Sequence, residues 1–191
     1  MLSKKTLGKI QKTHKGNAQK RRDIQAISSE LLGASKRAIF AVQRSDLKTA
    51  EKELSSGTEL IKKGKVLIKT NPRLEQEGIW RSALEEFAEG YLYTAVINGK
   101  GIDEVPGISL EETEIYLGAL SDLSGELTRS CVLFATKRDI KRVEALSTQI
   151  REIVSFLLNL DLTGNLRQKF DQAKQNLRKV EEIAFSLSLT K

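Results

Sequence analysis

The 191-residue chain has a single histidine, His14, a single cysteine, Cys131, and only two prolines, Pro72 and Pro106. A lone histidine near the start leaves no general base for a Ser-His-Asp type of site and cannot complete the mixed Glu/His ligand set of di-iron bundles. One cysteine rules out a disulfide framework within the chain and suits a reducing, cytoplasmic compartment. Aromatic residues are 5% of the chain, so aliphatic side chains carry most of the packing. No apolar run approaches the roughly 18 residues of a membrane span, and the first residues lack the apolar core of a secretion signal, so neither membrane insertion nor export is expected. Strand alternation, hairpin dipeptides and internal repeats are missing. So is a glycine-rich phosphate loop following a strand, which excludes nucleotide hydrolysis by that route.

What remains is helical periodicity. With so few prolines, apolar residues recur at helical spacing through six segments. The first runs from about Asn17 to Arg44, with Ile24, Ile27, Leu31, Ala34 and Ala38 on its seam. After a break near Ser45-Asp46, a second carries Leu47, Ala50, Leu54, Leu60 and Ile61, weakened but not ended by Gly57 and Gly64. Asn71-Pro72 separates it from a third, about Pro72 to Ile97, with Trp80, Leu84, Phe87 and Tyr91 in one stripe. Asn98 to Gly107 is a loop. Ser109 and Glu112 form a capping box before the fourth helix. Turns at Thr136 or Asp139 and at Leu160 to Asn165 divide off a fifth helix and a sixth, the last from about Leu166 to Leu187. The spacing predicts an all-α antiparallel bundle of about six helices. The aromatic stripe is expected to be core packing and not a platform for stacking bases.

Charge divides the chain differently. Eight of the 32 Lys and Arg residues precede the first acid, Asp23, and the remaining 24 balance 25 Asp and Glu. Residues 1–19 are therefore set apart as a basic N-terminal arm, and residues 20–191 as one helical domain. Such an arm is either a solubilising, disordered lead-in or a segment that contacts phosphates.

Two helices carry paired acids. On the fourth, Gly118, Asp122, Glu126 and Arg129 share a face, with Ser121 and Gly125 beside it. On the third, Glu86 and Glu89 stand i,i+3 against the half that is apolar on almost every side, with Glu85 further towards solvent. Acids at i,i+4 repel by a few tenths of a kcal/mol, and carboxylates against an apolar surface need a pairing partner, a proton or a cation. Facing helices of a bundle can gather such pairs around an ion. Oxygen-only ligands favour Mg²⁺ or Mn²⁺ over zinc or redox iron, and such an ion can deliver water to a phosphorus centre. The same spacings also occur on solvated helix faces tied by Lys and Arg.

The blocks Asp23 to Phe40, Glu86-Phe-Ala-Glu89, Tyr116 to Arg129 and Lys179-Val-Glu181-Glu182 together resemble the translin family, most closely the nuclease-type subunit, translin-associated factor X. The resemblance runs from about residue 20 to the C-terminus, and the short loop after the third helix makes it that of a prokaryotic, archaeal-like member. It implies a helical fold assembling into hollow octamers, here as a homo-oligomer with or without a translin-like partner subunit. It further implies metal-dependent cleavage of RNA, chiefly single-stranded or frayed, with single-stranded DNA also bound. The expected catalytic and metal-binding residues are Glu86, Glu89, Asp122 and Glu126, with Lys36, Arg37 and Arg129 contacting RNA. Two readings stand beside it. One is a non-catalytic, translin-like binder of single-stranded nucleic acid. The other is a structural bundle whose acids are surface pairs.

Overall fold

The computed structural model describes residues 3–189. Six α-helices appear among them: α1 Lys4–Gln43, α2 Leu47–Thr70, α3 Gly78–Ile97, α4 Thr113–Thr136, α5 Ile140–Leu158 and α6 Gly164–Ser188, with a 3-10 turn at Pro72–Gln76. No strand occurs among the described residues, and none of these helices is long and apolar enough to cross a membrane.

Two tight corners explain the antiparallel course. At the end of α1, the Asp46 N–H reaches back to the Ala41 carbonyl (2.9 Å) and the Ser45 N–H to that of Val42 (2.8 Å), while Ser45 takes a φ of 63°. This satisfies the last carbonyls of α1 and reverses the chain. Asp46 then caps α2 by accepting from the Thr49 N–H (3.1 Å). Phe134, Ala135, Arg138 and Asp139 repeat the device between α4 and α5, with Arg138 at a φ of 56° and Asp139 capping through Arg142. One residue closes each helix and starts the next.

The core joins two halves. Helices α1, α2 and α3 pack on one another, α4, α5 and α6 do the same, and α3 against α4 connects them. Trp80, Phe87, Leu92, Leu123, Leu127 and Ile150 lie at the centre, each with at most 1% exposure. Gly57 and Gly64, which weaken α2 on propensity alone, are seats for α3: an added Cβ would stand 2.5 Å from the Phe87 ring and 2.3 Å from the Trp80 ring. The missing side chains let large aromatics close the α2–α3 contact.

Three boundaries differ from expectation. Helix α1 starts at Lys4 and not near Asn17, because Ser3 accepts from the Thr6 N–H (3.1 Å) and no proline interrupts the helix beyond that cap. From residue 3 the basic arm is therefore a helical lead-in, and it is exposed through Asn17. Helix α3 starts at Gly78, since Pro72 opens only a short turn that closes when Glu77 N–H bonds the Leu74 carbonyl (3.1 Å). The Ser109–Glu112 pair makes half of its capping box, Ser109 N–H donating to the Glu112 carboxylate (2.9 Å), and α4 begins only at Thr113.

Candidate metal and nucleic-acid site

Helices α3 and α4 run side by side with small residues where they meet. Gly118 on α4 lies directly beneath Glu85 of α3; a Cβ there would stand 2.3 Å from a Glu85 carboxylate oxygen. Gly90 lets α1 close against the other side of α3, its Cβ position 3.3 Å from Ile39 Cγ1 and 3.5 Å from the Ser35 carbonyl. With Trp80, Leu84, Phe87 and Ala88 turned into the core, the edge of α3 towards α4 is left to Glu85, Glu86 and Glu89. Asp122 and Glu126 are the matching half-buried residues of α4.

The four expected acids lie within electrostatic reach of one another. Glu86 and Glu89 both sense the negative charges of Asp122 and Glu126. Burial, reinforced by Asp122, Glu86 and Glu126, pushes the Glu89 carboxyl up to about 8, and Lys169 only partly offsets this. Glu86 is raised as well, first by burial; Lys36 pulls the other way, while Asp122 adds to the rise. Glu89 therefore holds its proton at neutral pH unless more positive charge arrives.

Three neighbours were not foreseen. Lys169 of α6 donates to Glu85 (2.7 Å) and to Asp122, a short contact, and its side chain is 20% exposed. Burial would lower the Lys169 pKa, but its bonds to Asp122 and Glu85 outweigh that, and the net direction is upward. Glu85, expected to face solvent as a spare, is thus part of the cluster. Gln43, at the last turn of α1, donates to Glu126 (2.6 Å). Beneath them Asn176 of α6 donates to Ser124 Oγ (2.9 Å), holding α6 against α4. In sequence Lys169 is one base among Arg167, Lys174, Arg178 and Lys179, and nothing in its spacing marks it.

The expected basic residues separate. Lys36 is exposed and close enough to stabilise the charge on Glu86. Arg129 is exposed, lies near the Tyr93 hydroxyl electrostatically, and makes no ion pair among the described residues. Arg37 is turned away: it grips Glu53 of α2 at 2.8 Å and does not join the group. Tyr93 donates to or accepts from Ser130 (2.7 Å), and burial drives its hydroxyl up to about 12, so it stays neutral.

In donor type, the set suits a hard divalent cation. Oxygen ligands alone are present, and negative charge exceeds the positive charge supplied by Lys169 and Lys36. Among the described residues, however, no three Asp, Glu, His or Cys side chains stand close enough to grip an ion as they are placed. Binding one requires the acid side chains to rotate inward and Asp122 to exchange its Lys169 partner.

An all-helical bundle with half-buried acids on two neighbouring central helices is the class that the geometry defines. Residues 84–191 match the Translin family model, and the chain belongs to the translin family. Human (Homo sapiens) Translin is 32% identical over 108 residues, covering 52% of this chain and 47% of the relative. Chicken (Gallus gallus) Translin is 31% identical over 108 residues with the same coverage. The match thus spans about half the length of these curated relatives. Among solved structures, apo-NeC3PO superposes with a TM-score of 0.86 at 23% identity, covering 98% of both chains. AfC3PO in its complex with duplex RNA gives 0.84 at 18% identity, covering 97% of both. At these identities the structural likeness is one of fold.

Proposed function

We propose that the chain is a divalent-metal-dependent endoribonuclease, cleaving single-stranded or frayed RNA at the paired acids of α3 and α4. The observation that carries this reading is the convergence of Glu86, Glu89, Asp122 and Glu126 from two helices in a half-buried place. An RNA-binding surface alone gains nothing from carboxylates that repel its phosphates. Glu86, Glu89, Asp122 and Glu126 would hold Mg²⁺ or Mn²⁺, which supplies Lewis-acid stabilisation of the phosphodiester and acidifies water. Glu89, whose carboxyl burial pushes up to about 8, would have to be ionised to serve as a ligand. Gln43 keeps Glu126 oriented through the 2.6 Å hydrogen bond. Lys36, exposed near Glu86, and Arg129, exposed near Tyr93, would contact the phosphates of the strand.

The family and the fold support an RNA-handling role, and a solved neighbour of this fold is a complex with duplex RNA. Assembly into a homo-oligomer, an octamer by resemblance and with or without a translin-like partner, belongs to the same reading. It has support in apolar side chains left in solvent, among them Phe156, Leu158, Phe185 and Leu189, each at least 50% exposed. A cytoplasmic location fits the single, buried, unpaired Cys131.

Labelled single-stranded RNA incubated with the purified chain in Mg²⁺ or Mn²⁺ tests the reading. Shortened products are expected with metal and none with EDTA, and both Glu89→Gln and Asp122→Asn are expected to abolish them. Cleavage that persists in EDTA or in these variants removes the metal mechanism. One observation favours a second reading, a non-catalytic binder of single-stranded RNA or DNA: Lys169 already neutralises Asp122 and Glu85. In that case the strand is bound in a salt-sensitive way and stays whole after long incubation with metal.

A further inference from the structure

The cleft accounts for none of the charge at the start of the chain. Helix α1 meets the body only from Ala18 onward, and every residue from Ser3 to Asn17 is exposed. At about 1.5 Å per residue, that lead-in stands roughly 20 Å clear of the bundle. Its root is clamped: Lys20 donates to the Thr70 carbonyl (3.2 Å), and Arg21 pairs with Glu77 (3.0 Å). The free part is therefore a continuation of a packed helix, capped at its start by Ser3.

Five lysines, Lys4, Lys5, Lys9, Lys12 and Lys15, occupy this free part with no acid among them. Elsewhere some exposed bases find acids, as Lys62 finds Glu59 and Lys174 finds Asp171. The five lysines make no ion pair among the described residues. At 100° per residue, Lys5, Lys9 and Lys12 fall within one narrow band, with Lys4 and Lys15 on its flank. Gly8 and Gly16 lie on the same side with nothing within 4 Å of either Cβ position, so a ligand can approach the helix backbone there. Lysines at i,i+4 repel one another, so this face is unsatisfied until an extended anion lies along it.

We infer that the lead-in of α1 is a phosphate-backbone arm, which binds a polynucleotide strand and holds it to the body. The charge complementarity is that of a line of phosphates. A helix lying on a lipid surface needs a broad apolar face opposite its bases, commonly with aromatic residues. Here that face carries only Leu7 and Ile10 among His14, Asn17 and Arg21. The inference rests on the nucleic-acid part of the proposed function and is independent of the acids, since neither cleavage nor a metal enters it.

The test compares the full chain with a variant carrying Lys4→Gln, Lys5→Gln, Lys9→Gln, Lys12→Gln and Lys15→Gln, and with the corresponding five Lys→Arg changes. Binding to a fluorescent single-stranded oligouridylate is followed by anisotropy in EDTA across a salt series, with circular dichroism confirming equal helix content. Each phosphate contact to a single strand contributes about 0.7 to the slope of log affinity against log salt, so five contacts contribute about 3.5. The expected result is a slope shallower by about 3 in the glutamine variant, binding at least about tenfold weaker near 50 mM salt, and near-normal behaviour in the arginine variant. An unchanged slope and affinity in the glutamine variant overturns the inference. So does RNA binding that is untouched while binding to phosphatidylserine vesicles is lost. Failure of every form to bind RNA removes both this inference and the proposed function. Arm-dependent binding by a chain that never cleaves RNA removes only the nuclease reading.

Discussion

Replacing Lys169 by methionine tests whether the acidic cleft is built around a positive charge. Methionine keeps an unbranched stem of similar reach, so the packing of α6 against α4 is preserved and the ammonium alone is lost. The wild-type ammonium serves Glu85 and Asp122, with side-chain exposures of 20% for Lys169, 25% for Glu85 and 36% for Asp122. Removing one partner from a fully buried pair costs about 3–5 kcal/mol, while exposed pairs are worth about 0–1 kcal/mol. Partial exposure places Lys169→Met between these limits, at about 2 kcal/mol. For a chain of this size that is a fall of about 4–8 °C in the unfolding midpoint, measured by circular dichroism in EDTA. The second arm of the experiment adds Mn²⁺. A cation present at about ten times its dissociation constant stabilises by about 1.4 kcal/mol, and without the competing ammonium the variant should gain more than the wild type. If Lys169→Met melts with the wild type in EDTA, the two ion pairs carry no net energy. If Mn²⁺ then shifts neither protein, the cleft is not a cation site and the nuclease reading goes with it.

Three further outcomes are expected from the same geometry. In EDTA the wild-type chain should lose stability as pH rises from about 4.5, where Glu89 of the unfolded chain ionises, to about 8, where the folded one does. Below that window both states hold the proton and the penalty is absent, so Glu89→Gln should gain on the wild type by on the order of a few kcal/mol by pH 8 and match it near pH 4; urea unfolding at each pH reads the difference, and parallel curves would refute the burial argument. Gly64→Ala drives a Cβ to 2.3 Å from the Trp80 ring, which is 1% exposed and has no flexible end to yield; overpacking of about 1–3 kcal/mol should exceed the gain of up to about 1 kcal/mol in helix propensity and lower the denaturation midpoint. Arg37→Gln should leave RNA affinity unchanged because Arg37 is held by Glu53, whereas Arg129→Gln should reduce the salt slope by about 0.7, both read by anisotropy.

The apolar seams were legible because burial repeats every three to four residues, and Ile24, Leu31, Trp80, Phe87, Leu123 and Leu127 are all core. The nearness of the two acid pairs was legible for a related reason. Glu86 and Glu89 interrupt an otherwise apolar surface, and Asp122 and Glu126 violate the usual preference for acid–base pairs at i,i+4. Both are local anomalies within one helix. Lys169, Gln43 and the true place of Glu85 were not legible, because each owes its role to a helix distant in sequence. Lys169 sits among four other bases on α6, and only the packing of α6 on α4 selects it. Arg37 shows the converse: its local pattern equals that of Lys36, and one partner on α2 decides between them. The helix starts at Lys4 and Gly78 were missed because capping by Ser3 and the short turn after Pro72 depend on single hydrogen bonds that periodicity does not register.

Gly118 ties the packing of the bundle to the charge in the cleft. Any side chain at that position would meet the Glu85 carboxylate head-on, within 2.5 Å of its carbon as well as its oxygen. Glu85 is a flexible residue and would swing away, so the bundle itself would survive. What would not survive is the bridge from Glu85 to Lys169, and the ammonium would then have Asp122 as its single remaining carboxylate. A tighter pair between Lys169 and Asp122 withdraws one of the four acids from any incoming cation. Lys169 is thus shared between two half-buried carboxylates, Glu85 and Asp122. The absent methyl group on α4 is what keeps Glu85 in that position, and with it the share of Asp122 left free for a cation.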